Sequence, residues 1–259
     1  MNIVVCVKQV PDSAAKVVVT SGQVTWGGAD LVINPWDEYA VEAALLTKEA
    51  HGGKVTALTI SPGGANEALK QALAMGCDDA VLISNQGLPA VDSQMTARLL
   101  AAAIQKLDEV KLVVFGRQAI DGDSGLTHVQ TARVLHWPAL MMVSSINSLD
   151  SGTGSITVER AIEEGRQLLG AKLPAVVSVI KDFAEPRYPS FMGIRKAAKA
   201  EIPVWTPSDL GLSDLSPRVS WPSISNPPVR EVHCEMITGD SPAEVAGKLA
   251  DRILAEKVL

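Results

Sequence analysis

Apolar residues in this chain fall into short, nearly unbroken runs rich in Val, Ile and Leu. Between the runs lie longer segments whose apolar positions recur three and four residues apart. The runs IVVCV (3–7), KVTALTI (54–60), AVLIS (80–84), LVVFG (112–116), PALMMVSSI (138–146) and LPAVVSVI (173–180) read as strands buried on both faces. The intervening segments read as helices. One starts at Asn34 as N-cap with Pro35 at the first helical position, and Ala40, Val41, Ala44 and Leu45 form its apolar face. A second follows the turn Ser61-Pro62-Gly63-Gly64 and is closed by Gly76. A third runs from Ser93 to Leu107, and a fourth starts at Thr127. This alternation predicts βαβ units with right-handed crossovers, hence an α/β fold with a doubly wound, mostly parallel, Rossmann-like sheet. Such sheets hold ligands outside the carboxyl ends of their strands. Three loops meet that condition, after Val7, after Ile60 and after Gly116.

The pattern departs from this rhythm in four places. VVVTSGQVTW (17–26) predicts a small hairpin turning at Ser21-Gly22. SITVERAIEEGRQLLGAKL predicts a second hairpin around Glu163-Glu164-Gly165. Residues 183–199 combine Pro186, Pro189 and Gly193 with Arg187, Arg195, Lys196 and Lys199, and read as a mobile loop. From Thr206 to Arg230 the chain is rich in Pro and Ser and predicts an extended arm, followed by a last helix from Ser241 to about Lys257. Trp221 and Ile224 give the arm apolar anchors that a disordered tail lacks, so it is expected to lie on another subunit. The expected organisation is an α/β domain over 1–205, including the loop 183–199, and a C-terminal arm and helix over 206–259.

Composition narrows the function. The 259 residues are 47% hydrophobic with a net charge of -6, which argues against a nucleic-acid binder. Cys6, Cys77 and Cys234 form no CxxC pair, and the four histidines are scattered, so no metal site is implied. MNIVVCVKQV reads as a strand rather than a secretory leader, and no apolar run reaches the ~18 residues of a membrane span. A cytoplasmic, reduced location is the default expectation.

The stretch VFGRQAIDGDSGLT (114–127) carries the candidate chemistry. A strand breaks into Gly, Asp and Ser just before a helix, where backbone N–H groups attract phosphate oxygens. Asp121 and Asp123 are unsuited to touch a phosphate while ionised. They are expected to cap the next helix and brace the turn, leaving the N–H groups of Ser124 to Thr127 facing the ligand. GxxxxGK[ST], GxGxxG and GxSxG are absent, and Asp-Gly-Asp-Ser lacks the acidic ladder of a calcium loop. SPGGANEAL has Asn66 and Glu67 where the pyrophosphate loop of ATP pyrophosphatases needs Asp-Ser. Cys6, within an apolar strand, reads as a small buried hydrophobe. A nucleotide site with no acid/base pair points to binding or electron carriage in which a cofactor performs the chemistry. The basic cluster at 187–199, with Tyr188, Phe191 and Met192 beside it, suits transient docking of an acidic partner.

Taken in order, VCVKQVPD, INPWDEYAVEAAL, ALAMG with Asp78, GRQAIDGDSG and EPRYPSFMGIRKAAK resemble the β (small) subunit of electron transfer flavoproteins over essentially the whole chain. VERAIEEGRQLLGAKLPAVVSV is similar to the family's signature, departing at Glu164 and Ser178. The resemblance implies an electron-carrier subunit rather than a stand-alone enzyme, paired with an FAD-bearing α subunit. It implies an adenine-nucleotide site at Cys6, at Asn34, Pro35, Trp36 and Asp37, at Ile60 and Ser61, and at Gly116, Arg117, Gln118, Ala119, Ile120, Asp121, Gly122, Asp123, Ser124, Gly125, Leu126 and Thr127. It further implies a docking surface at Arg187, Tyr188, Phe191, Met192, Arg195 and Lys196 for an acyl-CoA dehydrogenase or similar flavoenzyme. Family members hold either structural AMP or, in electron-bifurcating members, a second FAD that accepts hydride from NADH. AMP-type loops resemble IDDDxNQTG and bifurcating ones IDGDTAQVG. This chain reads IDGDSGLTH, and Gly122, Ser124, Asp37 and the ending DRILAEKVL favour FAD, while Leu126 stands where a Gln is usual. A stand-alone, non-redox nucleotide binder of the same fold is the alternative.

Overall fold

Strands whose side chains are apolar on both faces must be covered on both faces, and helices supply the cover. The computed structural model describes residues 1–63, 66–88, 91–229, 231 and 234–257. Its strands are β1 (Asn2–Cys6), β2 (Gln9–Pro11), β3 (Val18–Thr20), β4 (Gln23–Thr25), β5 (Leu31–Ile33), β6 (Lys54–Ser61), β7 (Asp79–Ser84), β8 (Val110–Gly116), β9 (Ala139–Asp150), β10 (Ser155–Ile162), β11 (Gly165–Lys172), β12 (Ala175–Val179) and β13 (Val204–Trp205). Its helices are α1 (Pro35–His51), α2 (Asn66–Met75), α3 (Ser93–Lys106), α4 (Thr127–Leu135), α5 (Phe191–Ala197) and α6 (Pro242–Ala255). Gly64 of the predicted turn, Arg230 at the end of the arm, His233 and the closing Val258 and Leu259 lie outside the described residues.

Nine strands form one sheet in the order β11-β10-β9-β12-β8-β1-β6-β7-β13. β9, β12, β8, β1, β6, β7 and β13 pair in parallel, and β9, β10 and β11 pair antiparallel through the hairpin expected at Glu163-Glu164. The period-2 alternation of a strand divides the core in two. Ile3 and Val5 of β1 pack with Ala40, Val41, Ala44 and Leu45 of α1 and with Leu69 and Ala72 of α2. Val4 and Cys6 pack with Leu99 and Ile104 of α3 and with Ala132 and Leu135 of α4. The first hairpin turns at Ser21 (φ 52°) and Gly22 (φ 74°), the two left-handed residues a tight hairpin turn requires.

Residues 183–199 are not a mobile loop throughout. Ser190 accepts a hydrogen bond from the Gly193 amide (3.0 Å) and starts α5, and Ala197 is buried. A Cβ on Gly193 would lie 2.2 Å from the Ala74 carbonyl oxygen, so α5 sits directly against the end of α2. The chain divides into compact units at Met1–Ile224 and Ser225–Leu259 rather than at 205/206. The reason is local. Leu210, Leu212 and Leu215 pack on the second core, and Lys106 stacks on Trp205 (4.7 Å) while donating to the Asp209 carbonyl (2.9 Å). In the second unit, Ser241 caps α6 through the Glu244 amide, with Pro242 at the first position. No residue of α6 is buried, and Leu249 and Leu254 are exposed. Among the described residues, no helix is long and apolar enough to cross a membrane.

Candidate functional site

At the carboxyl edge of β1, β6 and β8, where α3 and α4 begin, a crevice of about 360 Å³ opens. That is toward the lower end of the ~300–1,000 Å³ usual for small-molecule sites. Of the residues expected there, Cys6, Asp37, Ile60, Gly116, Gln118, Ala119 and Asp121 through Thr127 line it. Val7, Lys8, Thr59, Asn85, Val91, Asp92, Ser93, Thr96, Leu100, Phe115 and His128 also line it and were not expected. Asn34, Pro35, Trp36, Ser61, Arg117 and Ile120 do not reach the crevice wall. Arg117 instead lies over the Trp36 ring (5.6 Å), outside it.

Asn34 occupies the N-cap position of α1, but its side chain caps nothing. It is fully buried and bridges to the loop after β8: Nδ2 donates to the Gln118 carbonyl (2.8 Å), and Oδ1 accepts from the Ile120 amide (3.1 Å). Asp37, one helical turn on, accepts the Lys8 amide on Oδ2 (2.8 Å). Gly116 ends β8 against the same turn. A Cβ there would stand 2.5 Å from Asp37 Oδ1 and 2.5 Å from the Trp36 carbonyl oxygen, so only glycine fits. Three segments distant in sequence are thereby fastened at one point.

Burial drives the electrostatics. It pushes the Asp37 carboxyl from its ordinary 3.8 up to about 7, against the hydrogen bonds from Lys8 and Gly116 that favour the anion. The Cys6 thiol beside it is raised by burial and by the Asp37 charge, which leaves it an inert hydrophobe. Burial lowers His128 to about 4, so its ring, next to Phe115, is neutral at physiological pH.

Asp121 and Asp123 do not cap α4. Lys8 Nζ pairs with Asp121 at 2.7 Å, and Gln118 Nε2 donates to Asp123 Oδ1 at 2.5 Å. Both carboxylates brace the turn, where Asp123 holds a left-handed φ of 51°. The N-cap position belongs to Leu126, which has no side-chain acceptor. The first-turn N–H groups of α4 therefore lack a side-chain cap and open on the crevice. Two crevice residues, Thr59 and Asn85, carry buried side-chain oxygens with no hydrogen-bond partner among the described residues. Since buried polar atoms are almost always satisfied, these fit a site completed by a polar ligand. A depression of about 380 Å³ at the opposite sheet edge lacks such atoms among the described residues, and its Asp78 and Asp79 already pair with Lys48 and Lys54.

The residues expected to dock a partner divide. Arg187 is spent within the chain: its guanidinium binds the buried Glu42 (2.8 Å) and Glu49 (2.6 Å), and its amide donates to Glu42 as well. Tyr188 (95% exposed), Phe191 (79%) and Met192 (69%) stand in solvent, and Ile194, not anticipated, joins them. Arg195 and Lys196 are exposed beside this patch.

The family model for the electron transfer flavoprotein domain matches residues 23–210. The chain is 36% identical to the caffeyl-CoA reductase-Etf complex subunit CarD of Acetobacterium woodii over 100% of both chains. It is 34% identical to the electron transfer flavoprotein subunit beta of Bacillus subtilis over 99% of this chain and 98% of that one. It is 37% identical to protein FixA of Azorhizobium caulinodans over 83% of this chain and 79% of that one.

Proposed function

Because the chain belongs to the electron transfer flavoprotein family as a β subunit, we propose that its crevice holds the adenylate part of an FAD, that the FAD accepts hydride from NADH, and that the electrons are bifurcated. The observation carrying this reading is the pairing of an uncapped α4 N-terminus with the unpartnered oxygens of Thr59 and Asn85 around one crevice. The N–H groups of α4 suit a phosphate. Lys8 offsets the charge of Asp121, so the turn can stand next to a second anion. Thr59 and Asn85 suit the hydroxyls and ring nitrogens of a nucleoside. Gly122 and Ser124 favour FAD over AMP by their likeness to the bifurcating loop, and CarD is by name a subunit of a reductase–Etf complex. When bound, FAD supplies the two-electron exchange with NADH and the onward passage of electrons. This chain's part is to grip, orient and exclude water. Its partners are an FAD-bearing α subunit, reached by the segment 206–259, and an acyl-CoA dehydrogenase-type flavoenzyme docking at Tyr188, Phe191 and Met192.

A second reading, structural AMP in this subunit with FAD held mainly by the α subunit, is favoured by Leu126. It lines the crevice and is 48% exposed, and it offers no amide to a flavin. An absorbance spectrum and nucleotide analysis of the purified heterodimer separate the two. Two flavins per heterodimer are expected; one flavin plus AMP replaces the first reading by the second, and no adenine nucleotide overturns both. Phe191→Ala is expected to slow electron transfer to the partner flavoenzyme about tenfold with flavin content unchanged, as for a lost interface anchor. Loss of flavin instead would reassign the 183–199 segment.

A further inference from the structure

Arg218 and Val219 lie far from the crevice in sequence but are fastened to its wall. Asp92, just before α3, carries both ends of the connection. Its Oδ1 accepts the Met95 amide (2.8 Å) and caps α3. Its Oδ2 accepts the amides of Arg218 (2.5 Å) and Val219 (3.0 Å). Asp92 lines the crevice together with Val91, Ser93 and Thr96.

We propose that Asp92 is a positioning residue that links occupation of the nucleotide crevice to the placement of the C-terminal arm. The proposal rests on the nucleotide-binding reading given above and adds a regulatory role to the same site.

The geometry leaves Asp92 little freedom. Burial works to raise its carboxyl pKa, but the N–H groups of Met95, Arg218, Val219 and Gln94 outweigh it and hold the group below the ordinary carboxylate range. One carboxylate thus serves four amides, two in the helix and two in the arm. The arm has little else at this point, since residues 216–224 are all exposed, whereas Leu210, Leu212 and Leu215 before them pack on the second core. A ligand resting on Ser93 and Thr96 restrains the first turn of α3 and with it the Asp92 side chain. Restraint of Asp92 is restraint of the Arg218 and Val219 amides. Linkage makes the effect reciprocal: whatever fixes the arm tightens nucleotide binding by the same factor. The loaded subunit then presents Trp221, 79% exposed, in a set position to whatever covers the arm.

Asp92→Asn separates the two duties. An asparagine is a good helix cap and retains one oxygen for Met95, but its amide nitrogen cannot accept from Arg218 or Val219. The test is hydrogen exchange of the 218 and 219 amides in the full-length protein, with and without AMP, alongside calorimetric measurement of AMP binding. In the wild type, saturating AMP is expected to slow exchange at these two amides about fivefold or more, the lower range of ordinary coupling. In Asp92→Asn, AMP should bind more weakly by a similar factor and leave their exchange unchanged. AMP binding to the wild type with no change at 218 and 219 overturns the link alone, as does equal slowing in the variant. Failure of AMP to bind wild-type protein freed of its resident nucleotide overturns the nucleotide reading as well. If Asp92→Asn does not fold, the wild-type comparison still decides.

Discussion

Helices α3 and α4 pack side by side and begin at the same crevice, yet they begin differently. α3 carries its own anion, since Asp92 accepts from its first turn and from the arm. α4 begins at Leu126 with no acceptor, although two aspartates lie within five residues of it. Those aspartates are taken by Lys8 and Gln118. Proximity of a carboxylate in sequence therefore does not reveal whether a helix start is spent. Of the two helices, α4 is the one whose start has no side-chain cap competing with a phosphate for its N–H groups. The hydroxyls and amides along the α3 side suit the neutral, hydroxylated part of a nucleotide.

Asp37 fastens the ends of β1 and β8 at the crevice. The largest expected effect is its pH dependence. Its carboxyl is raised from 3.8 to about 7 in the folded protein, so the native state binds the proton more tightly than the unfolded chain. Its contribution is most favourable below pH 4, declines as pH rises, and is lost once pH passes about 7. At about 1.4 kcal/mol per pH unit of displacement, the span is on the order of 4 kcal/mol. His128 acts in the opposite direction: lowered from 6.5 to about 4 by burial, it costs stability as pH falls below 6.5. Urea denaturation of wild type and Asp37→Asn across pH 4–8 isolates the first effect. The variant should gain steadily on the wild type up to about pH 7; parallel curves would place the Asp37 charge elsewhere.

Gly116→Ala comes next. The added methyl meets the Asp37 carboxylate and the Trp36 carbonyl at 2.5 Å, and neither is the free end of a flexible side chain. Overpacking of this kind costs about 3 kcal/mol, read from the shift in denaturation midpoint. The crevice floor should open between α1 and β8, and nucleotide should be lost. An alanine variant that keeps both stability and nucleotide would show that the two segments are not held at one point.

How much of this was legible beforehand follows from the range of the forces involved. Strand and helix positions came through because periodicity is local: the runs at 3–7, 54–60 and 112–116 became β1, β6 and β8 with small changes at their ends. The turn at Ser21-Gly22 was legible because left-handed pairs have few alternatives. The loop from Gly116 to Thr127 was legible as a ligand edge because a strand, a glycine-rich turn and a helix are contiguous there. What sequence could not supply was pairing across the chain. Nothing near Asp121 announces Lys8, 113 residues away, and nothing near Arg187 announces Glu42, 145 residues away. Arg187 therefore looked free for docking. Asp92, immediately before an apolar helix, carries an ordinary N-cap signal, but nothing in its surroundings announces the amides of Arg218 and Val219. Thr59 and Asn85 had no signal, since a polar residue at a strand end reads the same in sequence whether or not its side chain finds a partner.

The smallest expected change in stability is also the sharpest test of the difference between the two helices. Leu126→Asp places on α4 the charge that α3 already has. Leu126 holds helical backbone angles (φ −100°, ψ −27°), not the extended ones an N-cap side chain needs to reach forward. The new carboxylate therefore gains from the helix dipole alone, about 0.5 kcal/mol at low salt. Nucleotide-free protein should become slightly more resistant to urea. Binding should move the opposite way, because the carboxylate now competes with phosphate for the same N–H groups. AMP affinity is expected to fall about tenfold, roughly 1.4 kcal/mol, while affinity for adenosine, which lacks the phosphate, stays within twofold. Equal losses for AMP and adenosine would mean that the substitution only reshaped the crevice. No loss for either would mean that phosphate does not sit at α4, and the two helix starts would then differ in sequence without differing in use.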